Sequence, residues 1–348
     1  MNPVAATIGD IDAAWLSAAL DTEVASVSAE RVGTGQVGAT YRLTIAYADG
    51  ATGPTHLVAK LAAENAEARV RVAEGYRKEV GFYVHLASTV TVATARCSYA
   101  AIADDSTTFT LLLGDLAPAR PGVQAEACSI DEAEAAVRNL VGLHAPRWND
   151  ASLAQHEFLG RIDADAAAFL GAIHVQATEQ FVTRYADALD AADIATLRAA
   201  AAATAAWCTT RAEPHAIVHG DYRLDNLMFG PDGSVAVVDW QTVSIGPPAR
   251  DLAYFVGTCL TADDRRDHED ALVAIYHRGL VAAGVQGYAA ADAMVDYRLG
   301  QLQGPLITVL GSEYATAART PAADGMFLAM ARRSCAAVRD LGSLDLVT

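Results

Sequence analysis

Cysteine is scarce. The chain has five, Cys97, Cys128, Cys208, Cys259 and Cys335, scattered and never in a C-x-x-C spacing. An odd, dispersed set argues against a disulfide frame and a zinc site, and points to buried thiols in a reducing compartment. Positive charge is also scarce: Lys plus Arg number 25 against 42 for Asp plus Glu, a formal net charge of −17. That balance argues against a general nucleic-acid binder, which needs Lys and Arg to displace counterions from phosphates. It argues equally against a binder of anionic membranes. A locally basic pocket for one nucleotide remains compatible with it. No uncharged run is long enough to span a bilayer. Residues 80–95 lack Asp, Glu, Lys and Arg, but the run is short of the ~20 residues a span needs and carries Ser, His and Thr. The N-terminal MNPVAATIGDID holds no Lys or Arg and soon turns acidic, unlike a signal peptide. Internal repeats and a clear flexible linker are missing as well. A soluble cytoplasmic protein is the expectation.

What is present is apolar and helix-forming. Hydrophobic residues make up 52% of the 348 and charged residues 19%, which is enough for sizeable cores and suits two lobes. Ala is the commonest residue, so helices should dominate wherever Gly and Pro are absent. Thr7 and Asp10 resemble a capped helix start, and Ile8, Ile11, Trp15 and Leu16 recur at helical spacing, giving a first helix over about 8–20. Residues 41–47 and 56–61 read as strands flanking an Asp49-Gly50 turn. Residues 64–87 read as one long helix, and 89–98 and 108–113 as further strands. From 130 onward the expected helices are 130–144, 161–189, 191–210, 262–284, 288–303 and 322–340, interrupted by a strand-rich patch at 216–240. The change of character near Pro118–Pro121 places the lobe boundary there, giving 1–115 and 116–348.

Three groups of residues carry chemistry. Gly33, Gly35 and Gly38 fit G-x-G-x-x-G, a weak signal alone. Glycines permit a tight turn and let backbone N–H groups approach phosphates. A dinucleotide fold wants a helix directly after the motif and an acidic residue ~20 positions on. Here a strand follows, and the residue 22 positions after Gly38 is Lys60. A strand, glycine loop, strand and later Lys is the kinase order. Lys60 ends an apolar strand, where a buried ammonium needs a partner. Glu79 and Glu74 both lie on the following helix. Glu79 is preferred because Val80, Phe82, Tyr83 and Leu86 turn that end inward. The third group is the most specific. In Val218-His219-Gly220-Asp221-Tyr222-Arg223-Leu224-Asp225-Asn226, a polar loop lies between apolar runs. Asp221 can accept the proton of an attacking hydroxyl, and Asn226 can coordinate Mg²⁺ through its amide oxygen. Asp239 ends the apolar run 235–238 and is placed to bind the metal bridging the phosphates. A Pro-Asp-Gly turn at 231–233 joins the two segments. Each residue alone has a plainer explanation as a cap, a turn or a surface charge, but together they keep kinase order and spacing.

On these motifs the sequence resembles the aminoglycoside phosphotransferase and choline-kinase superfamily of small-molecule kinases. It is especially similar to the ecdysteroid-kinase-like branch. HGDxxxxN at 219–226, VDWQ at 238–241 and Glu79-x-x-Phe82-Tyr83 carry the resemblance, which runs from about 28 to 260. It implies an α+β, bilobal protein-kinase-like fold with a small β-rich N-lobe and a large helical C-lobe. It implies ATP, or another nucleoside triphosphate, with Mg²⁺ held by Asn226 and Asp239, and a small hydroxylated acceptor. It implies Asp221 as base, Lys60 oriented by Glu79 on the α/β-phosphates, and the 33–38 loop over the triphosphate. Leu113 and Asp115 fall in the segment whose backbone holds adenine, with Gly114 where the family often has Glu. Arg223 stands where a cation can stabilise the transferring phosphoryl group; a salt bridge with Asp225 is the equal alternative. His219 and Asp251 are expected to brace the catalytic loop, and Leu143–Trp148 to be packing. Only twelve positions separate Asp239 from Asp251, too few for the activation segment of a protein kinase. The acidic pairs Asp263-Asp264 and Glu269-Asp270 suit a solvated helix face better than an amine site. A catalytically silent nucleotide-binding module, an aminoglycoside-resistance kinase and a dinucleotide-dependent oxidoreductase are the alternatives. A monomer or homodimer is expected.

Overall fold

The computed structural model describes residues 3–32, 38–211, 213–314 and 319–347. Gly33 and Gly35 of the glycine motif therefore lie outside the described residues. The chain separates into two compact units. The first is Met1–Thr89, Thr94–Pro118 and Val238–Thr242; the second is Val90–Ala93, Ala119–Val237 and Val243–Thr348. The expected lobes were continuous stretches. The compact units instead exchange two short segments, and Asp239 belongs with the first.

The first unit starts with α1 (Ala13–Leu20), whose Asp12 cap accepts the Trp15 N–H at 2.8 Å. The expected helix over 8–20 is thus divided into a short 3₁₀ turn at Ile8–Asp10, with a Thr7/Asp10 capping box, and α1. Then come β1 (Val24–Arg31), β2 (Gly38–Tyr47) and β3 (His56–Ala62). Next are α2 (Ala66–Gly81), β4 (Cys97–Ile102) and β5 (Phe109–Gly114). The strands form one antiparallel sheet in the order β1-β2-β3-β5-β4. Strand alternation sorts β3 into two faces. Leu57, Ala59 and Leu61 enter a core with Leu16, Leu43, Ile45 and Leu112, while Lys60 points to the other face. Gly38 lies opposite Ala62, and a Cβ there would meet the Leu61 carbonyl oxygen at 2.6 Å, so this position needs glycine. The expected strand at 89–98 is mostly irregular: an isolated bridge falls at Thr94, and continuous pairing begins at Cys97. Its apolar residues Val90, Val92 and Ala95 are buried without a ladder.

The second unit is helical, with small ladders. Its elements are β6 (Arg120–Pro121), α3 (Ile130–His144), α4 (Ala164–Arg184), α5 (Ala191–Thr209) and β7 (Ala216–Val218). β8 (Leu227–Phe229), β9 (Val235–Val237) and β10 (Ser244–Gly246) follow. Five helices complete it: α6 (Ala249–Cys259), α7 (Ala262–Ala282), α8 (Ala290–Gly300), α9 (Gln303–Tyr314) and α10 (Pro321–Asp340). β8 pairs with β9 and with β6, and β7 pairs with β10. Ser129 and Glu132 cap α3 reciprocally. Two helices were not expected from the sequence. α6 is short and directly follows Gly246-Pro247-Pro248, which reads as a turn. α9 carries Gly304, Pro305 and Gly311, which read as breakers. Among the described residues no helix is long and apolar enough to cross a membrane.

The Gly142 carbonyl of α3 accepts the Thr91 N–H at 2.9 Å, and a Cβ at Gly142 would lie 2.7 Å from the Val92 nitrogen. Backbone cannot yield as a side chain can. Gly142→Ala is expected to destabilise the protein by about 1–3 kcal/mol. A urea titration checks this through a lower midpoint at unchanged slope.

Candidate active site

In the first unit, Lys60 reaches across the β3 face to two carboxylates. Its ammonium donates to Glu79 at 2.7 Å and to Asp239 at 2.9 Å. Glu74 instead pairs with Arg77 one turn along α2. Glu79 is fully buried, and its carboxylate also accepts from Gln241 Nε2 at 3.2 Å. Burial works against the Lys60 charge, but Asp239 and Glu79 outweigh it and hold the ammonium protonated far above the usual lysine range. Burial pushes the Glu79 carboxyl up, against the pull of Lys60.

Asp239 is 43% exposed at its side chain and sits at φ 67°, a left-handed conformation that costs a non-glycine residue energy. Its neighbours fix it there. Trp240 stacks on Phe82 with centroids 3.6 Å apart and planes within 9°, and its indole N–H donates to Thr94 Oγ1 at 3.1 Å. Leu113 lies inside the sheet, opposite Val58 and Cys97. The Gly114 N–H is taken by the Arg96 carbonyl. The Asp115 carboxylate is held by Arg42 at 2.7 and 3.2 Å and by the Ala117 N–H. Its side chain is thus committed within the unit.

In the second unit, the loop after β7 is held from α6. The Asp251 carboxylate accepts the His219 N–H at 2.6 Å and the Gly220 N–H at 2.9 Å, and Gly220 turns there at φ 83°. His144 bridges Asp251 and the Tyr276 hydroxyl, which places the Leu143–Trp148 segment in this packing. His219 is buried, and its Nδ1 accepts the Asp221 N–H at 3.3 Å. Asn226 Nδ2 donates to the Asp221 carbonyl at 2.9 Å and to Asp221 Oδ2 at 3.0 Å. With its nitrogen spent inward, Asn226 offers its amide oxygen, a hard donor suited to Mg²⁺. Arg223 contacts Asp221 at 3.2 Å and Asp225 at 3.1 Å. The salt bridge with Asp225 is thus present, beside a second contact with Asp221, and the side chain is largely buried with its charge shared between two carboxylates. Burial opposes that charge, and Asp221, Tyr254 and Asp225 hold it firmly.

Three contacts at this loop were not anticipated. The Tyr254 hydroxyl donates to Asp221 Oδ1 at 2.9 Å. Gln124 is buried and accepts the Leu224 N–H at 2.9 Å, and Gln303 donates to the Gly220 carbonyl at 3.1 Å. The signal for Tyr254 was its place three residues after Asp251 on one helix, a spacing that shares a face. Gln124 and Gln303 had none. Among the described residues no cluster of three or more His, Cys, Asp or Glu forms a metal site.

The sequence model of the ecdysteroid kinase-like family matches residues 33–285. Human acyl-CoA dehydrogenase family member 11 is 49% identical over 41 residues, 11% of this chain and 5% of that protein. The matched stretch is therefore a small part of the curated relatives' length. The Plasmodium vivax ethanolamine kinase superposes with a TM-score of 0.55 at 10% identity, covering 91% of this chain and 83% of that one. The Cryptosporidium parvum choline kinase gives 0.53 at 8% identity, covering 91% and 89%. At such identities the likeness establishes the fold alone: protein-kinase-like, with a β-sheet N-lobe and a helical C-lobe.

Lys60→Met leaves Glu79 and Asp239 facing each other without their cation. The expected cost is about 3 kcal/mol or more, since removing one partner strands buried charge. The cost should grow with pH. A carboxyl whose folded pKa lies above its unfolded one stabilises the fold at low pH, and that stability is lost as pH rises through the folded value. Urea midpoints of the variant and the natural chain at pH 5 and pH 8 test this, the gap being wider at pH 8.

Proposed function

Since the chain belongs to the ecdysteroid kinase-like family, we propose that it transfers the γ-phosphoryl group of ATP to a hydroxyl of a small molecule. The observation that carries this reading is the loop in which Asn226, Arg223 and Tyr254 all aim their donors at one carboxylate, Asp221. Such convergence supports the reading of Asp221 as an oriented proton acceptor. In this reading the first unit is the nucleotide-binding lobe and the second the catalytic and acceptor-binding lobe.

The residues have distinct tasks. Lys60, held protonated by Asp239 and Glu79, binds α- and β-phosphate oxygens. The backbone around Leu113 and Asp115 receives the base, and the glycine motif of Gly33, Gly35 and Gly38 is assigned to the triphosphate on its sequence alone. Asn226 and Asp239 each supply an oxygen donor, the ligand type Mg²⁺ takes. Mg²⁺ held by such donors would neutralise phosphate charge. Asp221 receives the proton of the acceptor hydroxyl as the oxygen–phosphorus bond forms and the β–γ bridge breaks. Arg223 keeps Asp221 in place and sets positive charge beside the phosphoryl path. His219 and Asp251 fix the backbone that carries Asp221.

Asp221→Asn is expected to lower phosphate transfer by about 10²–10⁴-fold, the usual worth of a positioned base. Nucleotide affinity should change little. The check is phosphate transfer from ATP–Mg²⁺ across a panel of hydroxylated metabolites, with ATP binding measured in parallel. Equal turnover by both proteins would instead mark a silent nucleotide-binding module.

A further inference from the structure

Asp221 has more donors than a base needs for anchoring, and they divide unequally between its oxygens. Oδ2 accepts from Asn226 Nδ2 at 3.0 Å and from Arg223 Nε at 3.2 Å. Oδ1 accepts from the Tyr254 hydroxyl at 2.9 Å. A carboxylate has about four lone-pair sites, two on each oxygen. Among the described residues, the two donors on Oδ2 and the one on Oδ1 leave a single site, on Oδ1.

The donors differ in what holds them. Arg223 and Asn226 belong to the same loop as Asp221 and move with it. Tyr254 does not. It is fully buried on α6, within a cluster that includes Phe181, Val309 and Met330 from α4, α9 and α10. Its own carbonyl accepts the Thr258 hydroxyl at 2.6 Å. Burial and the Asp221 charge keep the phenol protonated far above its ordinary range, so its proton stays available to Asp221. One helix turn therefore grips the loop twice: Asp251 holds its backbone, and Tyr254 holds its carboxylate.

We propose that Tyr254 is a positioning residue that aims Asp221 Oδ1, leaving the open lone pair of that oxygen to receive the proton of the acceptor hydroxyl. This rests on Asp221 being the base. The plain competing account is that Tyr254 uses Asp221 only to satisfy its own buried hydroxyl. In that case losing the hydroxyl would leave catalysis untouched, or would weaken the protein without regard to Asp221.

A double-mutant cycle separates the accounts. The full chain, Asp221→Asn, Tyr254→Phe and the double variant are assayed for phosphate release from ATP–Mg²⁺ with water as acceptor. Thermal midpoints are recorded for each. Tyr254→Phe is expected to lower kcat roughly ten- to hundredfold, the worth of a hydrogen bond to a charged group. The KM for ATP should not move, and in the Asp221→Asn background the same change should have little further effect. Replacing Tyr254 with 4-aminophenylalanine, which keeps a donor, should restore most of kcat. Full kcat in Tyr254→Phe, or the same fractional loss in both backgrounds, overturns the role of Tyr254 while leaving the kinase reading intact. A folded 4-aminophenylalanine variant as slow as Tyr254→Phe overturns it too. Equal release by the natural chain and Asp221→Asn defeats the kinase reading itself, and the role of Tyr254 falls with it.

Discussion

The buried carboxylate of Asp251 is the interaction on which the catalytic loop depends. It accepts two consecutive backbone N–H groups, from His219 and Gly220, and faces His144. Backbone donors in a low-dielectric interior make strong bonds to an ionised acceptor. They also fix φ and ψ where a side-chain contact would fix only a rotamer. The left-handed turn at Gly220 follows from that grip and sends the chain toward Asp221. Gln124 and Gln303 then close the loop at its other polar groups. The loop is thus rigid because its backbone is satisfied by the helical unit, not because it is regular.

The sheet unit solves a different problem. It must keep an ammonium charged on a strand whose opposite face is core. Two carboxylates do this, one buried on α2 and one on the segment that includes Trp240 and Gln241. Gln241 contributes an amide where a third carboxylate would add repulsion. The stacked Phe82 and Trp240 rings and the tight turn at Asp239 show how much local structure serves to present one side chain.

Much of this was legible in the sequence, and the reasons are specific. The Lys60–Glu79 pair could be picked over Lys60–Glu74 because apolar periodicity orients a helix end. α3 and α7 were readable because Ser129 and Thr261 cap them and Gly or Pro is sparse within them. α6 was not, since it is only 11 residues long and opens beside Gly246-Pro247-Pro248, which reads as a turn. The irregular 90–96 segment looked like a strand because burial of Val90 and Val92 mimics one. Contacts made by neutral polar residues, such as Gln124, leave no periodic trace at all. On α7 the acidic residues divide: Asp263, Asp267 and Asp270 are exposed, while Glu269 is part-buried and paired. Glu269 accepts from Arg265 and Tyr297, and Asp263 from Arg266.

The exchange of short segments between the two units has a consequence for lineage and engineering. Val238–Thr242 clusters with the sheet, although the strands before and after it belong to the helical unit; Val90–Ala93 does the reverse. A single recombination junction after Pro118 would therefore draw the sheet with Lys60 and the stretch bearing Asp239 from different parents. The units are compact but not modular. Chimaeras between relatives should tolerate five matched junctions better than one, and the sheet unit cannot be excised as one continuous fragment with its charge network intact.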